Sequence, residues 1–100
     1  MFFDSYKVYV IECYSEYERF LKIGKTFTTV DRRFSDESLP YKYNLIKEYI
    51  FDNAKDCSLF EKELHKKYKA NQYYPLFDFP GCYECFEENI LKDILNETKI

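Results

Sequence analysis

Alternation of apolar and polar positions marks the strands of this chain. Residues 6–12 carry β-branched and aromatic side chains in alternation and predict a strand. The polar stretch 14–19 reads as a hairpin connection, and 20–24 as the returning strand. On that strand Leu21 and Ile23 share one face, and Lys22 and Gly24 share the other. Thr28 and Thr29 then offer helix caps, with Asp31 placed to suit the first turn. The spacing predicts a helix over 30–37, with Val30 and Phe34 as its buried stripe. Pro40 ends that segment, and 43–51 is a third strand. Asp52 or Asn53 caps a helix over 54–68, whose apolar stripe is Cys57, Phe60, Leu64 and Tyr68. Pro75, Pro80 and Gly81 make 69–81 an ordered loop, and 88–95 a closing helix. The order β-β-α-β-α-α predicts an α+β fold, a small antiparallel sheet flanked by helices.

At 100 residues the chain is the size of one domain, expected to span 1–100. Its 46% hydrophobic content is too high for disorder. No apolar run approaches the ~20 residues of a membrane span, and the start lacks a basic region followed by a long apolar stretch. The expectation is a soluble, intracellular, cytoplasmic protein without a membrane partner. Eleven Tyr and ten Phe with no Trp suit a core rich in area per residue. The same rings can also serve as a base-stacking surface. Four cysteines, Cys13, Cys57, Cys82 and Cys85, are expected as reduced thiols in that compartment. Cys82 and Cys85 have zinc-ligand spacing, and a zinc-stapled interaction domain is one reading of them.

The net charge is −3, yet residues 22–33 carry Lys22, Lys25, Arg32 and Arg33 against Asp31 alone. Gly24 and the following helix start make that stretch a candidate phosphate-binding corner. Its bland counterpart is a solvated basic face with a turn glycine.

Several short motifs in this order carry a resemblance. They are Lys7-Val8-Tyr9, Lys22-Ile23-Gly24-Lys25-Thr26, Arg33 inside a helix, the Glu61-to-His65 run with Leu64, and Glu84-Cys85-Phe86. Together, from about residue 6 to 86, they resemble the GIY-YIG nuclease superfamily. The second motif and the E-x-x-L-H and E-x-F signatures are similar to its small bacteriophage-type branch, which reads K-I-G. The resemblance implies a three-stranded antiparallel sheet flanked by helices and metal-dependent hydrolysis of phosphodiester bonds. It implies catalytic roles for Tyr9, Lys22 and Arg33, with Arg32 as the alternative arginine, and Glu61 as the metal-binding carboxylate. His65, one turn after Glu61, is placed to support water or phosphate. Gly24, Lys25 and Arg32 are the candidates for substrate binding. Glu84 reads as part of a motif that closes the fold. Lys7 stands where the first motif has glycine, and Asn71 and Asn89 are both candidates for the superfamily's late asparagine.

The implied cofactor is one Mg²⁺ or Mn²⁺, since both prefer oxygen ligands. The implied partner is nucleic acid, DNA ahead of RNA, with a homodimer or a protein partner as further options. A phage-encoded enzyme would work in the host cytoplasm. A Lys22 ammonium beside Tyr9 favours the phenolate, and a phenolate or hydrogen-bonded phenol can take a proton from attacking water. The acidic balance sets a different class beside this one: a non-catalytic module on the same fold that regulates a host protein or nucleic acid.

Overall fold

In the computed structural model, which describes residues 5–34 and 39–97, the two expected hairpin strands are β1 (Tyr6–Tyr14) and β2 (Arg19–Thr26). They pair antiparallel, with Tyr9 opposite Gly24 and Ile11 opposite Lys22. The turn between them closes with Ser15 N–H donating to the Glu18 carbonyl at 2.9 Å. The third strand, β3 (Lys42–Phe51), pairs antiparallel with the other side of β1. The register slips between Val10 and Ile11, so Ile46 is an extra residue on β3 and bends it.

The class is α+β as expected, but the sheet has four strands in the order β3-β1-β2-β4. The additional strand, β4 (Cys85–Phe86), pairs with Leu21 and Lys22 of β2, and Phe86 also bridges Gln72. Two residues are too few to display a period of two, so sequence pattern cannot reveal such a strand.

Helices cover both faces of this sheet. On one face Val8, Val10, Leu21 and Ile23 are buried with Cys57 and Leu64 of α2 (Ala54–Lys67) and Ile94 of α3 (Leu91–Leu95). Asn53 caps α2, its Oδ1 accepting from Asp56 N–H at 2.8 Å. The expected helix over 88–95 begins with one 3-10 turn, Glu88–Ile90, before α3. On the other face Tyr9, Ile11, Cys13 and Phe20 are buried under Val30, Phe34, Tyr41 and Phe79. Val30 belongs to α1 (Val30–Arg33), capped by Thr29, whose hydroxyl accepts from Arg32 N–H at 3.1 Å. The expected continuation to residue 37 falls on 35–38, outside the described residues.

Many of the aromatic side chains build this second core. The Phe20 ring stacks on Tyr73 at 5.0 Å and meets Tyr41 edge-on at 4.9 Å. Glu18 ties the irregular 72–79 stretch down, accepting from the Tyr41 hydroxyl, the Tyr73 hydroxyl at 2.5 Å and Leu76 N–H at 3.2 Å. Those bonds give the loop its order without regular secondary structure. Among the described residues no helix is long and apolar enough to cross a membrane.

Candidate functional site

The register of β1 and β2 brings two candidate residues together beneath α1. Tyr9 and Lys22 lie on the same face of neighbouring strands, and Lys22 Nζ donates to Tyr9 Oη at 3.1 Å. Gly24 makes this possible. A Cβ there would stand 2.5 Å from Tyr9 Oη, 2.7 Å from Tyr9 Cζ and 3.0 Å from Lys22 Nζ. The space expected for a ligand at Gly24 is therefore filled by the phenol itself. Both partners are closed off, Tyr9 at 1% exposure and Lys22 at 0%.

A buried ammonium needs a counter-ion, and Glu84 supplies it with Oε1 at 2.8 Å from Lys22 Nζ. Glu84 follows Gly81, whose φ of 86° forms a left-handed turn. That turn sits so close that a Cβ on Gly81 would meet Glu84 Oε1 at 2.9 Å and Lys22 Nζ at 3.1 Å. Burial disfavours the charged form of Lys22, but Tyr9 and Glu84 outweigh it and its pKa lies above the ordinary lysine value. Burial likewise raises the Tyr9 pKa, and it exceeds the opposing pull of Lys22 and Arg33. At neutral pH the pair is therefore a phenol and an ammonium. The expected push toward phenolate is present, and desolvation wins over it.

The carboxylate arrives from the opposite layer. Glu61 lies on α2 between Cys57 and Leu64, at the border of the buried stripe, and is itself buried. Its Oε2 has no hydrogen-bond partner. One turn later His65 places Nε2 2.7 Å from the Ile23 carbonyl, just past the two residues of β2 that pair with β4. A carbonyl only accepts, so Nε2 carries a proton, and in the neutral ring Nδ1 is the nitrogen with a lone pair. Ligand atoms of Glu61, His65 and Glu84 lie within 4.8 Å of one another. Burial first, and then the Glu84 charge, push the Glu61 pKa up, while His65, Lys25 and Lys22 oppose them. That donor set, with an orphaned buried oxygen, fits a divalent cation.

The remaining candidates surround this centre unevenly. Arg33 ends α1, and its charge reaches Tyr9. Arg32 is exposed, and its backbone N–H is already taken by Thr29, which narrows the expected phosphate corner. Lys25 is exposed and donates to Ser58 Oγ at 2.9 Å. Asn71 bonds Glu87 at 3.2 Å, and Asn89 is exposed in the 3-10 turn before α3. All four cysteines are free thiols, and among the described residues the group able to hold a cation contains none of them. Beyond His65 opens a cavity of about 330 Å³, lined by His65, Lys66, Lys69, Gln72, Tyr83 and Phe86.

Glu84 is the residue that sequence reasoning underrated. Its signal was the E-x-F motif downstream of a glycine, read as closing the fold. Alternation placed Lys22 on the face opposite to Leu21 and Ile23, but its full burial, and the acid that burial requires, come from the structure.

A four-stranded sheet with a tyrosine–lysine pair under one helix and an acidic, imidazole-bearing cluster beside it makes a small α+β domain. The family model for the T5orf172 domain matches residues 7–97, and the chain belongs to that family, a phage-like nuclease-associated domain. No curated protein and no solved structure matches the chain.

Proposed function

We propose that this chain is a small metal-dependent endonuclease of the GIY-YIG type, phage-encoded and acting in the host cytoplasm, that hydrolyses phosphodiester bonds in DNA. The observation that supports it most is the meeting of Tyr9, Lys22 and Glu84 with Glu61 and His65, in a chain of a nuclease-associated family. Glu61 would hold Mg²⁺ or Mn²⁺, which supplies charge stabilisation at the phosphate and leaving oxygen when bound. Tyr9, as a phenol held by Lys22, would orient the attacking water or a phosphate oxygen with its own proton. Arg33 would grip the phosphate with its fork of donors.

Two features bear on the substrate. Tyr9 is 1% exposed, bonded to Lys22 and edge-on to Phe34, so a substrate has to displace part of that packing to reach it. The cavity beside His65 carries Lys66 at the end of α2, Lys69 in the 3-10 turn after it and an exposed Tyr83, chemistry suited to phosphate and base. The net charge of −3 keeps a second reading in play, a non-catalytic module that binds nucleic acid or a host protein. The test incubates the chain with supercoiled plasmid and branched DNA in Mg²⁺, Mn²⁺ or EDTA. Cleavage in metal and none in EDTA supports the nuclease. Binding with no turnover in either metal transfers support to the binding module.

A further inference from the structure

The buried Glu61 Oε2 lacks a hydrogen-bond partner on a side chain only 7% exposed. A carboxylate oxygen of Glu61 lies within 4.8 Å of one on Glu84, and two such charges repel unless a proton or a cation stands between them. The nearby ammonium groups are already engaged elsewhere: Lys22 on Tyr9 and Glu84 Oε1, Lys25 on Ser58. Glu84 spends one oxygen on Lys22 and has the other to give. His65 is pinned through Nε2 to Ile23, which fixes the ring and leaves Nδ1 as a lone-pair donor. Oxygen ligands alone suit Mg²⁺, which holds its waters and demands near-ideal octahedral geometry. An imidazole nitrogen shifts the preference toward first-row transition ions.

We propose that Glu61, His65 and Glu84 form one three-residue cation site that takes Mn²⁺ in preference to Mg²⁺, with Glu84 bridging the ion and Lys22. It deepens the reading above at the same carboxylate, but binding is read without substrate, so the two fail separately. The site predicts that metal occupancy and the Lys22 contact are linked through one side chain.

The test is Mn²⁺ and Mg²⁺ titration of the full chain by calorimetry and Mn²⁺ electron paramagnetic resonance, with no DNA present. Manganese serves as the probe because the four free thiols would compete for zinc. Wild type should bind one Mn²⁺ at least tenfold more tightly than Mg²⁺. His65→Ala should lose tenfold or more in Mn²⁺ affinity with little change for Mg²⁺, and Glu84→Gln should weaken both. His65 also supports β2, so a second readout needs no variant. It is the only histidine in the chain, and substoichiometric Mn²⁺ should broaden its ring resonances in wild type. Sharp His65 resonances under saturating Mn²⁺, or equal Mn²⁺ affinity in wild type and both folded variants, would overturn the site. Tight Mn²⁺ binding in a chain that never cuts DNA would uphold it and remove the hydrolase instead.

Discussion

Gly24→Ala tests the packing that brings Tyr9 to Lys22. The added methyl would meet Tyr9 Oη at 2.5 Å, about 0.9 Å inside ordinary contact, and Cζ at 2.7 Å. The ring cannot swing freely, because it is 1% exposed and lies edge-on to Phe34 at 5.8 Å. Overpacking of this kind costs about 1–3 kcal/mol. Displacing the phenol also weakens a hydrogen bond to a charged group, a further ~1.5–3 kcal/mol at most. Alanine stiffens the unfolded chain and returns only ~0.4–1 kcal/mol. A net loss of about 2 kcal/mol should lower the melting temperature by roughly 8–16 °C in a domain this size. Tyr9→Phe removes the atom at 2.5 Å, so the double variant should be less unstable than the sum of the two singles, by about 1 kcal/mol. Thermal unfolding of the four proteins gives the cycle. Gly24→Ala within ~0.5 kcal/mol of wild type, or strict additivity, would refute the contact.

Removing the orphaned charge should help the fold and hurt the function. In EDTA at pH 7, Glu61→Gln should be more stable than wild type by about 1 kcal/mol in denaturant unfolding, because the change removes a buried, unpartnered negative charge beside Glu84. Destabilisation of that size instead would mean the carboxylate is satisfied in the fold. Glu18 behaves oppositely. Burial alone would raise its pKa, but bonds from Tyr41, Tyr73 and Leu76 N–H outweigh it and hold it below the ordinary value. A depressed carboxylate stabilises fully above the unfolded pKa, about 4.3, and the contribution fades as pH falls through the folded value. Glu18→Gln should therefore cost about 1–3 kcal/mol at pH 7 and progressively less below pH 4, measured by urea unfolding across pH. A cost independent of pH would contradict the ionised hub.

Much of the fold was legible because the strands alternate. Leu21 and Ile23 against Lys22 and Gly24 gave the two faces of β2 directly, and the period of Cys57, Phe60, Leu64 and Tyr68 gave α2. The caps at Thr29 and Asn53 follow from their short polar side chains. The edge strand Cys85–Phe86 was not legible, since its two residues have no pattern and depend on a partner more than sixty residues away. In the site, Tyr9 and Lys22 could be placed on one face only once a register was assumed. Glu84 escaped because an ion pair across 62 positions leaves no local trace. The protonation of Tyr9 escaped for a different reason: its sign depends on burial against charge, and only coordinates supply the burial.

The account stands most directly on single-turnover cleavage of a labelled DNA in Mn²⁺ by wild type, Tyr9→Phe, Glu61→Gln and the double variant. If the phenol and the carboxylate serve one hydrolytic centre, each single change should lower the rate about 10²–10³-fold, and the double variant should lose little more than the worse single. Wild-type rates in either folded single variant, or losses that simply multiply, would contradict a shared centre.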